Sequence, residues 1–186
     1  MRRLLLPVSL LGLLLFATGP ARAEFKNENI LMPLPEGYVV GYQDKSRQML
    51  IMEWVPKGQT VENWTDMVTM QTFYHRGQLK PSDFEDRMVA DWKTHCPDTS
   101  YQPIRSGVER GYAFSFWLLY CEKVSGTGQS EFTFIKAIQG NDAFYSVQKA
   151  FKVPPPKDEI VTWSKFMREV FVCDTRIPDR DCPKTD

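Results

Sequence analysis

Tyr112-Ala113-Phe114-Ser115-Phe116-Trp117-Leu118-Leu119-Tyr120-Cys121 is the stretch whose reading decides the fold. Its alternate residues separate into Tyr112, Phe114, Phe116 and Leu118 on one side and Ala113, Trp117 and Leu119 on the other, and both sets are apolar. A strand that is apolar on both sides is buried on both, which places it at the centre of a sheet covered on its two faces. Three neighbouring runs share its β character. Residues 101–108 lead into it through Glu109-Arg110-Gly111, and 131–138 and 143–153 follow, joined by Gly140-Asn141-Asp142. Gly and Asn tolerate positive φ, so the last connection is a good turn and the four runs form a meander.

Working outward, Pro154-Pro155-Pro156 stops the last strand and admits a helix with Asp158 and Glu159 in its first turn, where the helix dipole favours acids. Ile160, Trp163, Phe166, Met167 and Val170 give that helix its apolar stripe. Upstream of the meander, Pro81 precedes Ser82-Asp83-Phe84-Glu85, the pattern of a capping box. Phe84, Met88 and Trp92 then repeat every four residues, with Val89 alongside, until Pro97 ends the helix just after Cys96. Before it, Thr60 reads as the cap of another helix over 61–74, with Val61, Trp64, Met67 and Val68 on one face. Residues 38–42 and 48–55 form a hairpin, and 30–34 a short strand. The predicted order is β-hairpin, two helices, four-strand meander, C-terminal helix. That is an α+β class fold, a mostly antiparallel sheet with helices packed on it.

The N-terminus reads as a cleavable leader. Arg2 and Arg3 precede the apolar run 4–16, Gly19-Pro20 breaks any helix, and Ala21-Arg22-Ala23 has the small-x-small form of a cleavage site. The apolar core is shorter than the ~20 residues of a spanning helix. The 186-residue chain therefore divides into a signal peptide over 1–23 and a single globular domain over 24–186, exported to the periplasm or the extracellular space. Of 23 basic and 23 acidic residues, Arg2, Arg3 and Arg22 fall in the leader, so the domain carries three more acids than bases. That mild acidity argues against nucleic acid or an anionic membrane as partner. Five Trp, seven Tyr and twelve Phe supply a large core and exclude intrinsic disorder. All four cysteines, Cys96, Cys121, Cys173 and Cys182, lie in the domain, and an even count in an exported chain reads as two disulfides. Three pairings are open; Cys96–Cys121 with Cys173–Cys182 closes the shorter loops and is the one favoured.

Three word strings are distinctive: Pro35-Glu36-Gly37-Tyr38, Glu62-Asn63-Trp64-Thr65-Asp66-Met67 with Thr69 and Gln71 after it, and Lys136-Ala137-Ile138-Gln139-Gly140-Asn141. Together they resemble a group of small exported proteobacterial proteins of unassigned activity. The element order resembles the fold of the PsbP and Mog1 proteins. Those fold groups are mostly non-catalytic binding or assembly factors, but a fold of itself carries no function.

Candidate chemistry is sparse. His95 adjoins Cys96, but successive residues on a helix point about 100° apart, so the two do not form a dyad. His75 and His95 lack metal-ligand spacing, and His75, at the end of the helix expected over 61–74, suits that helix's negative end. No nucleophile elbow, dinucleotide fingerprint or phosphate loop occurs, and no cofactor is implied. Asn63-Trp64-Thr65 has the form of a glycosylation sequon but lies within the expected helix, with Trp64 buried. Polar residues inside apolar strands line a pocket or face solvent at an edge; Glu53, Lys136 and Gln148 are of this kind and, with His75, are the pocket candidates. Two functional readings stand. One is a binding or assembly module engaging a protein partner or a small ligand. The other is a small hydrolase whose acid–base groups are scattered along the chain.

Overall fold

The computed structural model describes residues 25–33 and 35–183, so the leader expected over 1–23 lies outside the described residues. Within them the chain forms nine strands and two α-helices: β1 Glu28–Leu31, β2 Tyr38–Lys45, β3 Met49–Pro56, β4 Asp66–Tyr74, α1 Pro81–His95, β5 Ser100–Glu109, β6 Tyr112–Cys121, β7 Glu131–Gln139, β8 Ala143–Phe151, α2 Lys157–Glu169 and β9 Phe171–Asp174. Seven strands make one antiparallel sheet in the order β2-β3-β4-β8-β7-β6-β5, and β1 pairs with β9 in a second, two-stranded sheet. Strands β2, β3 and β4 form a meander. Helix α1 then carries the chain to the far edge, and β5 to β8 return strand by strand until β8 closes on β4.

The α+β class and the mostly antiparallel sheet are as expected, but the first expected helix is absent. Residues 66–74 are β4, and the segment before it is a loop. Thr60 does make a cap-like contact, its hydroxyl accepting from Asn63 N at 3.2 Å, yet the turn does not propagate. From Asp66 onward Val68, Met70 and Thr72 alternate inward, and the β-branched and aromatic residues Val68, Thr69, Thr72, Phe73 and Tyr74 favour a pleated strand between two partners. The i, i+3, i+4 spacing of Val61, Trp64, Met67 and Val68 is incidental to that alternation. Trp64 is accordingly in the loop and only half-buried, with the Lys152 ammonium 4.8 Å from its ring centre.

Two further expectations need correction. The capping box does not close: α1 begins at Pro81, Lys80 is the cap residue, and Ser82 Oγ donates to Asp83 instead. Glu85 accepts from Tyr101 Oη at 2.7 Å, which ties the helix to β5. Proline at the first helical position lacks the amide a capping side chain would otherwise satisfy. Strand β6 is also one place from the sheet's edge, not at its centre, although it is buried on both faces as its sequence requires.

The two faces of the sheet hold two cores. On one, Trp117, Leu119, Ile135, Ala137 and Phe144 meet Phe84, Met88 and Trp92 of α1, with the Phe84 ring 5.0 Å from that of Phe144. On the other, Phe116, Phe134, Val147 and Phe151 meet Phe166 and Met167 of α2 and Val172 of β9. Centroid separations of 4.5–7 Å are the favourable range for aromatic pairs, and each face carries several. The bridges are Cys96–Cys121, fixing the end of α1 to the end of β6, and Cys173–Cys182, fixing the C-terminal tail to β9.

Candidate functional site

The four polar residues singled out in the strands and at residue 75 fall in three places. Glu53 and Gln148 are brought together: both pair in register with Thr69, one from each side, on the face that carries α1. Thr69 donates to Glu53 at 3.4 Å, and Gln148 donates to Gln71 at 3.3 Å. Burial raises the Glu53 carboxyl above its ordinary pKa, and the Thr69 hydroxyl offsets this in part. His75 follows a strand, so the helix-end role expected for it does not arise. It turns the chain with φ of 59° and donates its amide to Asp142 O at 3.1 Å.

Lys136 lies on the opposite face, 2% exposed. It donates to Glu109 at 2.8 Å and to the carbonyl of Val170, the C-cap of α2, at 2.6 Å. A cation there satisfies an orphan carbonyl and opposes the helix dipole. The residue fastens α2 to the sheet.

Lys149, which adjoins the pocket candidate Gln148 but is not itself one of the candidates, meets α2 through the Trp163 ring and not through a hydrogen bond to the helix. Its side chain is fully buried and donates to Tyr38 Oη at 2.7 Å and to Asp66. The rings of Tyr38, Phe151 and Trp163 enclose the ammonium, Trp163 at 3.8 Å from its centre. Burial pushes the Lys149 ammonium down to about 8 against the pull of Asp66. Burial acts to raise Asp66, but hydrogen bonds from Lys149, Tyr38 and Thr65 win, and its carboxyl lies below the ordinary value. These charges satisfy one another and leave nothing pointing at a ligand.

The arrangement under the end of α1 is different. Met88, Asp91, Trp92 and His95 lie at i, i+3, i+4 and i+7, one stripe of the helix. The stripe faces a solvent-open cavity of about 340 Å³ whose other walls are the Cys96–Cys121 bridge, Val124 and Glu131. The loop from β6 to β7 is held against the helix by Ser125 N donating to His95 O at 2.9 Å, which brings Val124 into the wall. His95 Nδ1 donates to Asp91 O at 3.0 Å and so fixes the ring against its own helix. Glu131 opens β7 opposite Cys121 in register. Among the described residues its carboxylate receives one hydrogen bond, from Thr133 Oγ1 at 3.1 Å. Burial raises the Glu131 carboxyl, with Thr133 and the more distant Lys152 opposing. Pockets of this kind, mostly apolar with a few convergent polar groups and a perturbed titratable residue, are where small ligands bind. Phe84, Met88 and Trp92 were legible as a helical stripe; Glu131 was not, because its place beside them depends on strand pairing.

The arrangement offers no thiolate, since Cys96 and Cys121 are bonded to each other. Among the described residues no group of three or more His, Cys, Asp or Glu is disposed to hold a metal. No helix among them is long and apolar enough to cross a membrane.

No protein-family model matches the chain, and comparison with curated proteins gives no match. Several solved structures are similar to it, among them the following two. The Ran-binding protein Mog1p of Saccharomyces cerevisiae is 11% identical over 76% of this chain and 84% of that one, with a TM-score of 0.40. LpqN of Mycobacterium tuberculosis, involved in cell envelope biogenesis, is 9% identical over 85% of this chain and 87% of that one, with a TM-score of 0.42. Likenesses of this degree leave function to be read from the chain's own residues.

Proposed function

We propose that the chain is an exported, non-catalytic binding module that takes a small ligand in the cavity between α1 and the ends of β6 and β7. The observation that carries this reading is Glu131, a part-buried carboxylate with a single hydroxyl partner among the described residues, facing a cavity whose other walls are Met88, Trp92, Val124 and a disulfide, with the polar groups of Asp91 and His95 beside them. Export is supported by the leader-like run over 1–23 and by the engagement of all four cysteines in bridges, which persist in oxidising compartments. At about 340 Å³ the cavity is at the small end of the ~300–1,000 Å³ typical of ligand sites.

The test is native mass spectrometry of protein purified without reductant from its secretory compartment, beside a Val124→Trp variant that fills the cavity. The expected result is a mass above that of the doubly bridged residues 24–186, with the excess absent from the variant. A bare mass in both proteins, with no melting-temperature shift across a library of small fragments, overturns the reading.

A further inference from the structure

Resting on that reading, we infer that the cavity's ligand is a small organic cation, an ammonium group on a compact apolar body, with its charge held by Glu131 and Trp92. Among the described residues Glu131 and Asp91 are the carboxylates that line the cavity and no Lys or Arg lines it; His95, which also lines it, commits its Nδ1 to the Asp91 carbonyl. Lys152, which directly follows β8, the strand paired with β7, acts on the Glu131 carboxyl electrostatically but stands over the Trp64 ring, and among the described residues no ion pair joins it to Glu131. Indole is the best of the aromatic faces for a cation, and desolvation strengthens the attraction. A part-buried carboxylate that lines the same cavity as such a ring, with one hydroxyl for company, is costly to leave unpaired; an ammonium group supplies both the counter-charge and the missing hydrogen bonds. The thioether of Met88, the Val124 side chain and the sulfurs of the bridge are apolar, polarizable walls suited to the body that carries the charge. An anionic ligand would meet two carboxylates there.

Isothermal titration with benzyltrimethylammonium and its neutral counterpart benzyl alcohol tests the inference, using the bridged protein and a Glu131→Gln variant. The expected result is saturable binding of the cation, at least roughly tenfold tighter than the alcohol. The variant should lose about that tenfold while binding the alcohol unchanged, which also shows that its cavity has folded. Benzylamine and a lysine-containing tripeptide extend the series: tighter binding of the amine places the charge on a free molecule, and tighter binding of the tripeptide places it on a partner's lysine. Equal affinity for cation and alcohol, or an unchanged cation affinity in Glu131→Gln, overturns the cationic ligand and leaves the cavity reading in place. Failure of every probe to bind overturns the cationic ligand, and together with a bare native mass and no melting shift across the fragment library it overturns the cavity reading as well.

Discussion

Replacing Cys96 and Cys121 together by alanine gives the sharpest single test of how the cavity's wall is held. The two residues are 25 positions apart and fully or nearly fully buried, and their bond joins the last turn of α1 to the end of β6. Treated as a constraint on the unfolded chain, a closed loop of that length is worth about 3.5 kcal/mol at room temperature. The Cys173–Cys182 bridge, with a separation of 9, is worth about 2.6 kcal/mol on the same basis. Removing the first pair should therefore cost more than removing the second. For a domain of this size the larger loss corresponds to a fall of about 10 °C in melting temperature. Urea denaturation of the two double variants, followed by tryptophan fluorescence, reads both losses. The slope of free energy against urea should rise in each, because an uncrosslinked chain exposes more surface when it unfolds. A loss below about 1 kcal/mol for Cys96→Ala with Cys121→Ala, or a larger loss for the other pair, refutes the reasoning.

Three other consequences can be checked by similar means. Lys149→Met leaves Asp66 and Tyr38 without their buried cation and should destabilise the domain by about 3 kcal/mol; adding Asp66→Asn should recover part of the loss, as denaturant melts of the single and double variants would show. Because the folded-state pKa of Lys149, about 8, lies below its unfolded value, the unfolded chain binds the extra proton between about pH 8 and 10.5, so stability should rise with pH across that window. Tyr38 has the opposite sign, its pKa raised by burial and by Asp66, so its contribution is present below about pH 10 and lost above it. The lowered carboxyl of Asp66 stabilises above about pH 4 and is lost as pH falls through its folded value, and a melting-temperature profile that is flat from pH 7 to 10, or equally steep in Lys149→Met, contradicts this assignment. Glu28→Gln should cost about 1–3 kcal/mol, since the Glu28 carboxylate accepts from the amides of Asn141, Asp142 and Ala143 and from Tyr145 Oη; unchanged hydrogen exchange at those three amides would count against it.

Those same residues separate what is legible in the sequence from what is not. Elements whose stabilising contacts repeat locally were readable. The two-faced apolarity of 112–121, the four-residue spacing of Phe84, Met88 and Trp92, and the acids at the start of α2 each announce their element within a few residues. The cysteine pairing was readable too, because loop length favours near neighbours in the chain.

The misread segment, 61–74, carries helical and strand periodicities at once, and the partners on either side of β4 decide between them. Lys136 shows the same limit at a single residue: the sequence marks it as out of place in an apolar strand, but only the arrival of α2's last carbonyl makes it a clamp. Glu28, ahead of the short strand expected over 30–34 and marked by no motif, organises a turn more than a hundred residues away. Glu131 acquires its meaning from pairing with Cys121 beneath α1. By itself, then, the sequence determined the class and most of the core and favoured one of three cysteine pairings, because hydrophobic periodicity and chain entropy act on nearby residues. The tertiary structure alone decided where the buried charges sit and what they face, because an ion's environment is assembled from segments whose proximity no local pattern records.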